Sequence, residues 1–206
     1  MQRPWRVIGI DAGWKNLAIC AIDAGNYQKP VHWQLYTIME PPYIREKFLG
    51  AVQRFFERED VKTLLRSADL IVLERQLQEK YACLNCKVRF EFWENTIEVH
   101  PSTVGKQYGL SKDRKSKKKE AVVLAQKNAV FPRVKGKKDD LADAFLMAMY
   151  GLQQKHKIEG WKSLEDGERN RRPDELPVLP RKPQRSDSQQ HPPFAPTFGG
   201  FQTRFF

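Results

Sequence analysis

Acidic side chains stand at the ends of apolar runs in three places along the chain. Val7-Ile8-Gly9-Ile10 ends on Asp11, and after Gly13 a second apolar run, Leu17 to Ile22, begins. Asp69-Leu70-Ile71-Val72-Leu73 ends on Glu74. Lys138-Asp139-Asp140-Leu141-Ala142-Asp143-Ala144-Phe145 sets Asp140 and Asp143 three residues apart, on one face of a helix's first turn. Each has a plain structural reading. Asp11 can cap the turn that follows it, Glu74 can pair with Arg75, and Asp140 and Asp143 suit a helix N-terminus that Asp139 already caps. Taken together they allow chemistry. Carboxylates among such neighbours must be neutralised, paired or bound to metal. If the strands ending in Asp11 and Glu74 are neighbours and the helix crosses over them, four acids meet. Alone they raise one another's pKa; with two divalent cations they become bridging and terminal ligands. Carboxylate oxygens suit hard ions, Mg²⁺ or Mn²⁺. Two such ions about 4 Å apart activate water and stabilise the leaving oxygen in phosphodiester hydrolysis.

The elements that must hold these groups follow from hydrophobic patterning. Val7–Ile10 and Leu17–Ile22 are short, β-branched and bounded by Gly and Asp, and read as a hairpin whose turn takes a positive φ from Gly13. Val31–Ile38 is a third strand, its bulky residues alternating with His32 and Gln34. Three strands on short turns imply antiparallel neighbours. Ile44, Phe48, Val52, Phe55 and Phe56 recur at helical spacing, and Val61, Leu64 and Leu65 extend the pattern past a break near Glu59. Asp69–Glu74 lacks polar alternation, as a central strand covered on both faces does. Residues 77–93 read as a helix with two apolar stripes, one of Leu77, Tyr81, Leu84 and Val88, the other of Cys83, Cys86, Phe90 and Trp93. Such a helix is covered on both sides, in a core or at a subunit contact. Cys83 and Cys86 form a lone CxxC without the further ligands of a zinc site, and read as packing. Thr96–His100 alternates as a fifth strand and stops at Pro101; Ser102–Lys106 lacks the upstream Gly of a phosphate loop. Lys137–Met149, rich in Ala, Leu and Met, is a strong helix.

Lys plus Arg total 36 against 25 Asp plus Glu, a formal net charge of +11. An excess of this size favours polyanionic partners through phosphate contacts and counterion release. It is densest at Lys112, Arg114, Lys115, Lys117, Lys118 and Lys119, either a solvated loop or a phosphate-binding segment anchored by the helical pattern that follows. No run approaches the ~20 apolar residues of a membrane span, and the N-terminus lacks the features of a signal peptide. Three cysteines, an odd number, suit a reducing compartment. Beyond residue 158 the texture changes. The last 34 residues hold seven of the 13 prolines and no amphipathic period. The reading is one domain at 1–158 and a disordered tail at 159–206, whose aromatic end suits docking to an unnamed protein partner.

Ile8-Gly9-Ile10-Asp11-Ala12-Gly13, Ile71-Val72-Leu73-Glu74-Arg75-Gln76 and Lys138-Asp139-Asp140-Leu141-Ala142-Asp143-Ala144 resemble, in order and spacing, the active-site motifs of RuvC-type Holliday junction resolvases of the ribonuclease H-like superfamily, closest to the branch of poxviruses and related large DNA viruses. The resemblance covers about residues 5–156. It implies an α/β ribonuclease H-like fold, a mixed five-stranded sheet of three antiparallel and then parallel strands flanked by helices. It implies metal ligands Asp11, Glu74, Asp140 and Asp143, with Asp139 spare, and two Mg²⁺ or Mn²⁺ ions. It implies a lysine near the scissile phosphate, best matched by Lys119, with Lys118 the competitor. A homodimer through residues 77–93 follows from the same likeness. The expected activity is a structure-selective endonuclease cutting four-way DNA junctions, at a site of DNA replication in the cytoplasm or nucleus. The alternatives are a catalytically silent DNA-binding protein of this fold, or another superfamily nuclease acting on hybrids, flaps or transposon ends.

Overall fold

The computed structural model describes residues 3–13, 15–76, 79–134 and 136–154. The chain divides into two units, Met1–Leu164 and Glu165–Phe206, and all described residues belong to the first. The expected tail and its aromatic end lie outside the described residues, as do Leu77 and the side chain of Tyr81.

Five strands form one mixed sheet: β1 Arg6–Ala12, β2 Asn16–Asp23, β3 His32–Thr37, β4 Leu70–Glu74 and β5 Thr96–Val99. Their spatial order is β3-β2-β1-β4-β5. β1, β2 and β3 are antiparallel, with Ile8 opposite Ala21 and Cys20 opposite Trp33. β4 and β5 add parallel, Ile10 beside Leu73 and Leu73 beside Glu98. This is the expected mixed sheet, three antiparallel strands followed by parallel ones. The hairpin turn differs in its cause. Gly13 does not have a positive φ. Its hydrogen replaces a Cβ that would lie 2.5 Å from the Asn16 carbonyl oxygen, which accepts from the Gly13 amide at 3.0 Å.

Alternation along the strands sends Ile8, Ile10, Ile71 and Leu73 to one face and Val7, Leu70 and Val72 to the other. Both faces are covered, which is why β1 and β4 show no polar alternation. The first face packs on α1 Arg45–Glu57, α2 Glu59–Arg66 and α3 Glu79–Phe92 through Phe48, Phe56, Val61, Leu65, Leu84 and Val88. The break between α1 and α2 is the extended backbone of Arg58. On α3 the two stripes part company. Leu84 and Val88 are buried, whereas Cys86 is exposed, Phe90 is 86% exposed and Trp93, in the 3-10 turn Trp93–Asn95, is 72% exposed. Cys83 packs on the core with Leu84, so its grouping with the outer stripe is corrected.

The second face packs on α4 Pro101–Gln107, α5 Arg114–Asn128 and α6 Lys138–Gln153. α6 lies across β1 at close range. A Cβ on Gly9 would overlap the Ala144 carbonyl oxygen and the Ala148 nitrogen, and one on Gly151 would lie 2.6 Å from Val72 Cγ2. The Trp33 indole donates to the Leu141 carbonyl at 2.9 Å and stacks on Phe145, which sets the first turns of α6 against β3.

Candidate active site

On β1, Asp11 shares its parity with Val7 and Gly9; on β4, Glu74 shares its parity with Leu70 and Val72. Both side chains therefore project from the α6 face. They stand one residue past the last registered pair of these parallel strands, Ile10 and Leu73. α6 crosses over this point and brings Asp140 and Asp143 in from its first turns. The four carboxylates line one cavity of about 640 Å³ at the C-terminal end of β1 and β4, rimmed by Lys15, Arg114, Lys117, Lys118 and Lys137.

The electrostatics mark the acids as short of positive charge. Burial, then the charges of Asp143, Glu74 and Asp140, push Asp11 well above the usual carboxylate range. Burial and the Glu74 charge raise Asp143 to about 7. Burial raises Glu74, with Lys117 and the Gln76 amide working against it. Burial and the neighbouring Asp139 raise Asp140, while Lys137 and a hydrogen bond from Asn16 oppose the shift. Among the described residues no three acid, histidine or cysteine side chains are gathered tightly enough to enclose an ion as they stand. An all-carboxylate donor set of raised proton affinity, exposed to one cavity, fits a hard divalent ion.

The plain readings of these acids fare unevenly. Arg75 is exposed, and Glu74 is met instead by Gln76 Nε2 at 3.5 Å. Asp139 does not cap α6. The cap position is Lys137, with no side-chain bond, and Asp139 instead accepts from Lys118 Nζ. Burial would raise Asp139, but the hydrogen bond and charge of Lys118, with its backbone hydrogen bond and the charge of Lys137, together hold it below its usual value.

The basic segment is not a loop. Arg114 to Lys119 form the first turns of α5, capped by Asp113, which accepts from the Ser116 amide at 2.8 Å. Positive charge at a helix N-terminus opposes the macrodipole, so a run of it there serves something other than the helix. Lys117 and Lys118 reach the cavity. Lys119, the expected catalytic lysine, is exposed and is not among the residues lining it. Helical geometry explains the difference, since each residue turns about 100° from the last. Lys117 donates to the Pro101 carbonyl at 3.0 Å across Gly105, whose missing Cβ would lie 3.0 Å from Lys117 Cε. Lys112 and Lys115 are exposed beside this turn.

Sequence reasoning missed Lys15, Asn16, Gln76 and Lys137 at the cavity, and the whole of α4. Asn16 opens β2 and Gln76 follows Glu74 by two, so proximity to a strand end was the available signal. α4 had one in Pro101 at its start, behind the His100 ring that accepts from the Ser102 amide.

Residues 6–155 match the family described as Poxvirus A22 protein. The chain belongs to that family. Among solved structures, the yeast mitochondrial Holliday junction resolvase Ydc2 aligns with a TM-score of 0.53 and 16% identity, over 80% of this chain and 84% of its own. The fowlpox virus resolvase, solved with substrate Holliday junction DNA, aligns with a TM-score of 0.51 and 16% identity, over 72% of this chain and 97% of its own. The fold is that of the ribonuclease H-like, RuvC-type resolvases. No curated protein is significantly similar to the chain in sequence.

Proposed function

We infer that the chain is a structure-selective endonuclease that resolves four-way DNA junctions by divalent-metal-dependent phosphodiester hydrolysis. The observation that carries this is the convergence of Asp11, Glu74, Asp140 and Asp143, from three elements of a resolvase-family fold, in one cavity with a lysine and arginine rim. Divalent ions bound there would activate water and stabilise the leaving oxygen. Asp11 and Glu74 supply ligands from strand ends that cannot move without the sheet; Asp140 and Asp143 supply them from the helix packed on it. We assign two Mg²⁺ or Mn²⁺ ions to the four carboxylates. Lys117 and Lys118 offset the charge of an incoming phosphate beside Glu74 and Asp143. Arg114, with Lys112, Lys115 and Lys119 on the outer side of the same turn, binds flanking phosphates. Lys118 takes the catalytic role for which Lys119 was expected.

The exposed stripe of Cys86, Phe90 and Trp93 is an apolar surface that a second subunit would cover, which supports a homodimer through α3. Among the described residues no helix is long and apolar enough to cross a membrane. Membership of a poxvirus family supports a site of viral DNA replication as the place where it acts.

The test is cleavage of labelled junction, duplex, flap and hybrid DNA in Mg²⁺. Single changes Asp11→Asn, Glu74→Gln, Asp140→Asn and Asp143→Asn should each cut the junction rate by ~10²-fold or more, with binding retained. Normal cutting by all four overturns the assignment; equal cutting of duplex overturns junction selectivity.

A further inference from the structure

Among the described residues Asn85 is the buried polar side chain, 3% exposed on α3. Its Nδ2 donates to the Glu74 carbonyl oxygen at 2.8 Å and to Glu98 Oε1 at 3.1 Å. Its Oδ1 is buried without a partner. Leu84 and Val88 on the same helix are apolar and fully packed, so an amide here, with its orphaned acceptor, carries a burial cost that its two donated bonds must offset. The amide therefore has a use other than packing.

That use lies at the end of β4. The ladder between β4 and β5 closes with the Arg75 amide donating to the Val99 carbonyl at 2.7 Å. The Glu74 carbonyl, in the same peptide as that amide and opposite to it, accepts from Asn85. Fixing this carbonyl fixes the peptide plane that follows Cα of Glu74, and so the direction in which its carboxylate leaves the strand. Glu98 braces the amide from the other side; it stands beside Leu73 on β5 and is held by Arg89 at 3.5 Å. We propose that Asn85 is a positioning residue for the reaction: from the opposite face of the sheet it sets the orientation of the Glu74 carboxylate, and through it metal affinity. The proposal rests on the reading of Glu74 as a metal ligand. Partners of this kind, behind a ligand, typically change metal affinity or activity by about 10–100-fold when removed.

The experiment titrates Mn²⁺ against the full chain and follows the rise in melting temperature, with junction cleavage measured in parallel. Asn85→Leu and Asn85→Ser both lack the amide donor; Ser is small enough to be accommodated should Leu disturb the fold. In the variants the Mn²⁺ needed for half the thermal rise should increase about tenfold. kcat should fall about tenfold at fixed Mn²⁺, with KM for the junction unchanged. A lower metal-free melting temperature with an unchanged Mn²⁺ midpoint would mean that Asn85 only packs, and overturns the proposal. Glu74→Gln separates the two readings. If it takes up Mn²⁺ like wild type, Glu74 is no ligand and both fail. If it loses Mn²⁺ binding while both Asn85 variants keep it, the Asn85 proposal alone fails.

Discussion

Lys118 and Asp139 form an ion pair at the mouth of a cavity that already holds four acids. A free acid in that position would add to the repulsion, and Asp139 does act on Asp140 and Asp143 in this sense. Pairing converts it into a brace for the lysine. The hydrogen bond to Asp139 holds the Lys118 ammonium in its charged form, raised above its usual value, between the acids and the solvent. A phosphate entering the cavity meets a positive group that is already oriented, which is the condition under which fixed charge lowers a barrier. Lys119, one residue on, is exposed with no contact to the cavity. Single-turnover cleavage at saturating junction should therefore fall at least ~10-fold in Lys118→Met and stay within about twofold of wild type in Lys119→Met. The reverse ranking would return the catalytic role to Lys119. The acids were readable from the sequence pattern, because a carboxylate at the end of an apolar strand is costly wherever it points, and the resemblance of the motifs named them as one set. The lysine was not. Three lysines stand in a row, and only the rotation of α5 about its axis decides which of them faces inward.

At the scale of elements, the site depends on how closely α6 can approach the sheet. Gly9 is the contact point, and the helix backbone occupies the space a methyl group would need. Gly9→Ala must push α6 outward, or bend β1, and either motion carries Asp140 and Asp143 away from Asp11. We expect a loss of about 1–3 kcal/mol in stability, and a fall in cleavage larger than the unfolded fraction explains. Equal specific activity after correction for folding would show that the helix has room to spare. α3 carries the second element-scale prediction. Its inner stripe belongs to the core and its outer stripe does not, so the same charge has opposite effects on the two. Leu84→Glu should unfold the chain. Phe90→Glu should leave the melting temperature nearly unchanged while turning a dimer into a monomer in light scattering at micromolar concentration; a wild type that already runs as a monomer removes the dimer reading. Both stripes were visible in the spacing of residues 77–93. Which of them faces out was not, because periodicity gives the angle between two faces and the packing of Leu84 and Val88 on the sheet decides which one is inside.

For the whole molecule, the mixed sheet of antiparallel then parallel strands was legible, and the central place of β4 with it, because that strand shows no polar alternation. α4 was not, being seven residues of poor helix formers whose stability comes from packing on the second face. One consequence concerns the pH dependence of folding. Asp11, Glu74, Asp140 and Asp143 all have raised pKa values in the folded chain, Asp143 from 3.8 to about 7. A carboxylate of this kind binds its proton more tightly folded than unfolded. For Asp143 that contribution is fully favourable below the unfolded value near 4 and is lost as pH rises through the folded value of about 7. His32 acts in the opposite sense below 6.5, since burial lowers its pKa. Comparison with Asp143→Asn cancels that term, because both proteins carry His32. In EDTA, Asp143→Asn should be more stable than wild type, and its advantage should grow between pH 5 and pH 8 by on the order of 2 kcal/mol. Saturating Mg²⁺ or Mn²⁺ should erase or invert the difference, since bound cations favour the ionised carboxylate that the substitution removes. A constant difference across this range would mean that the Asp143 carboxylate is solvated as an ordinary surface acid. An advantage that grows with pH and survives saturating metal would mean that Asp143 is desolvated but holds no ion.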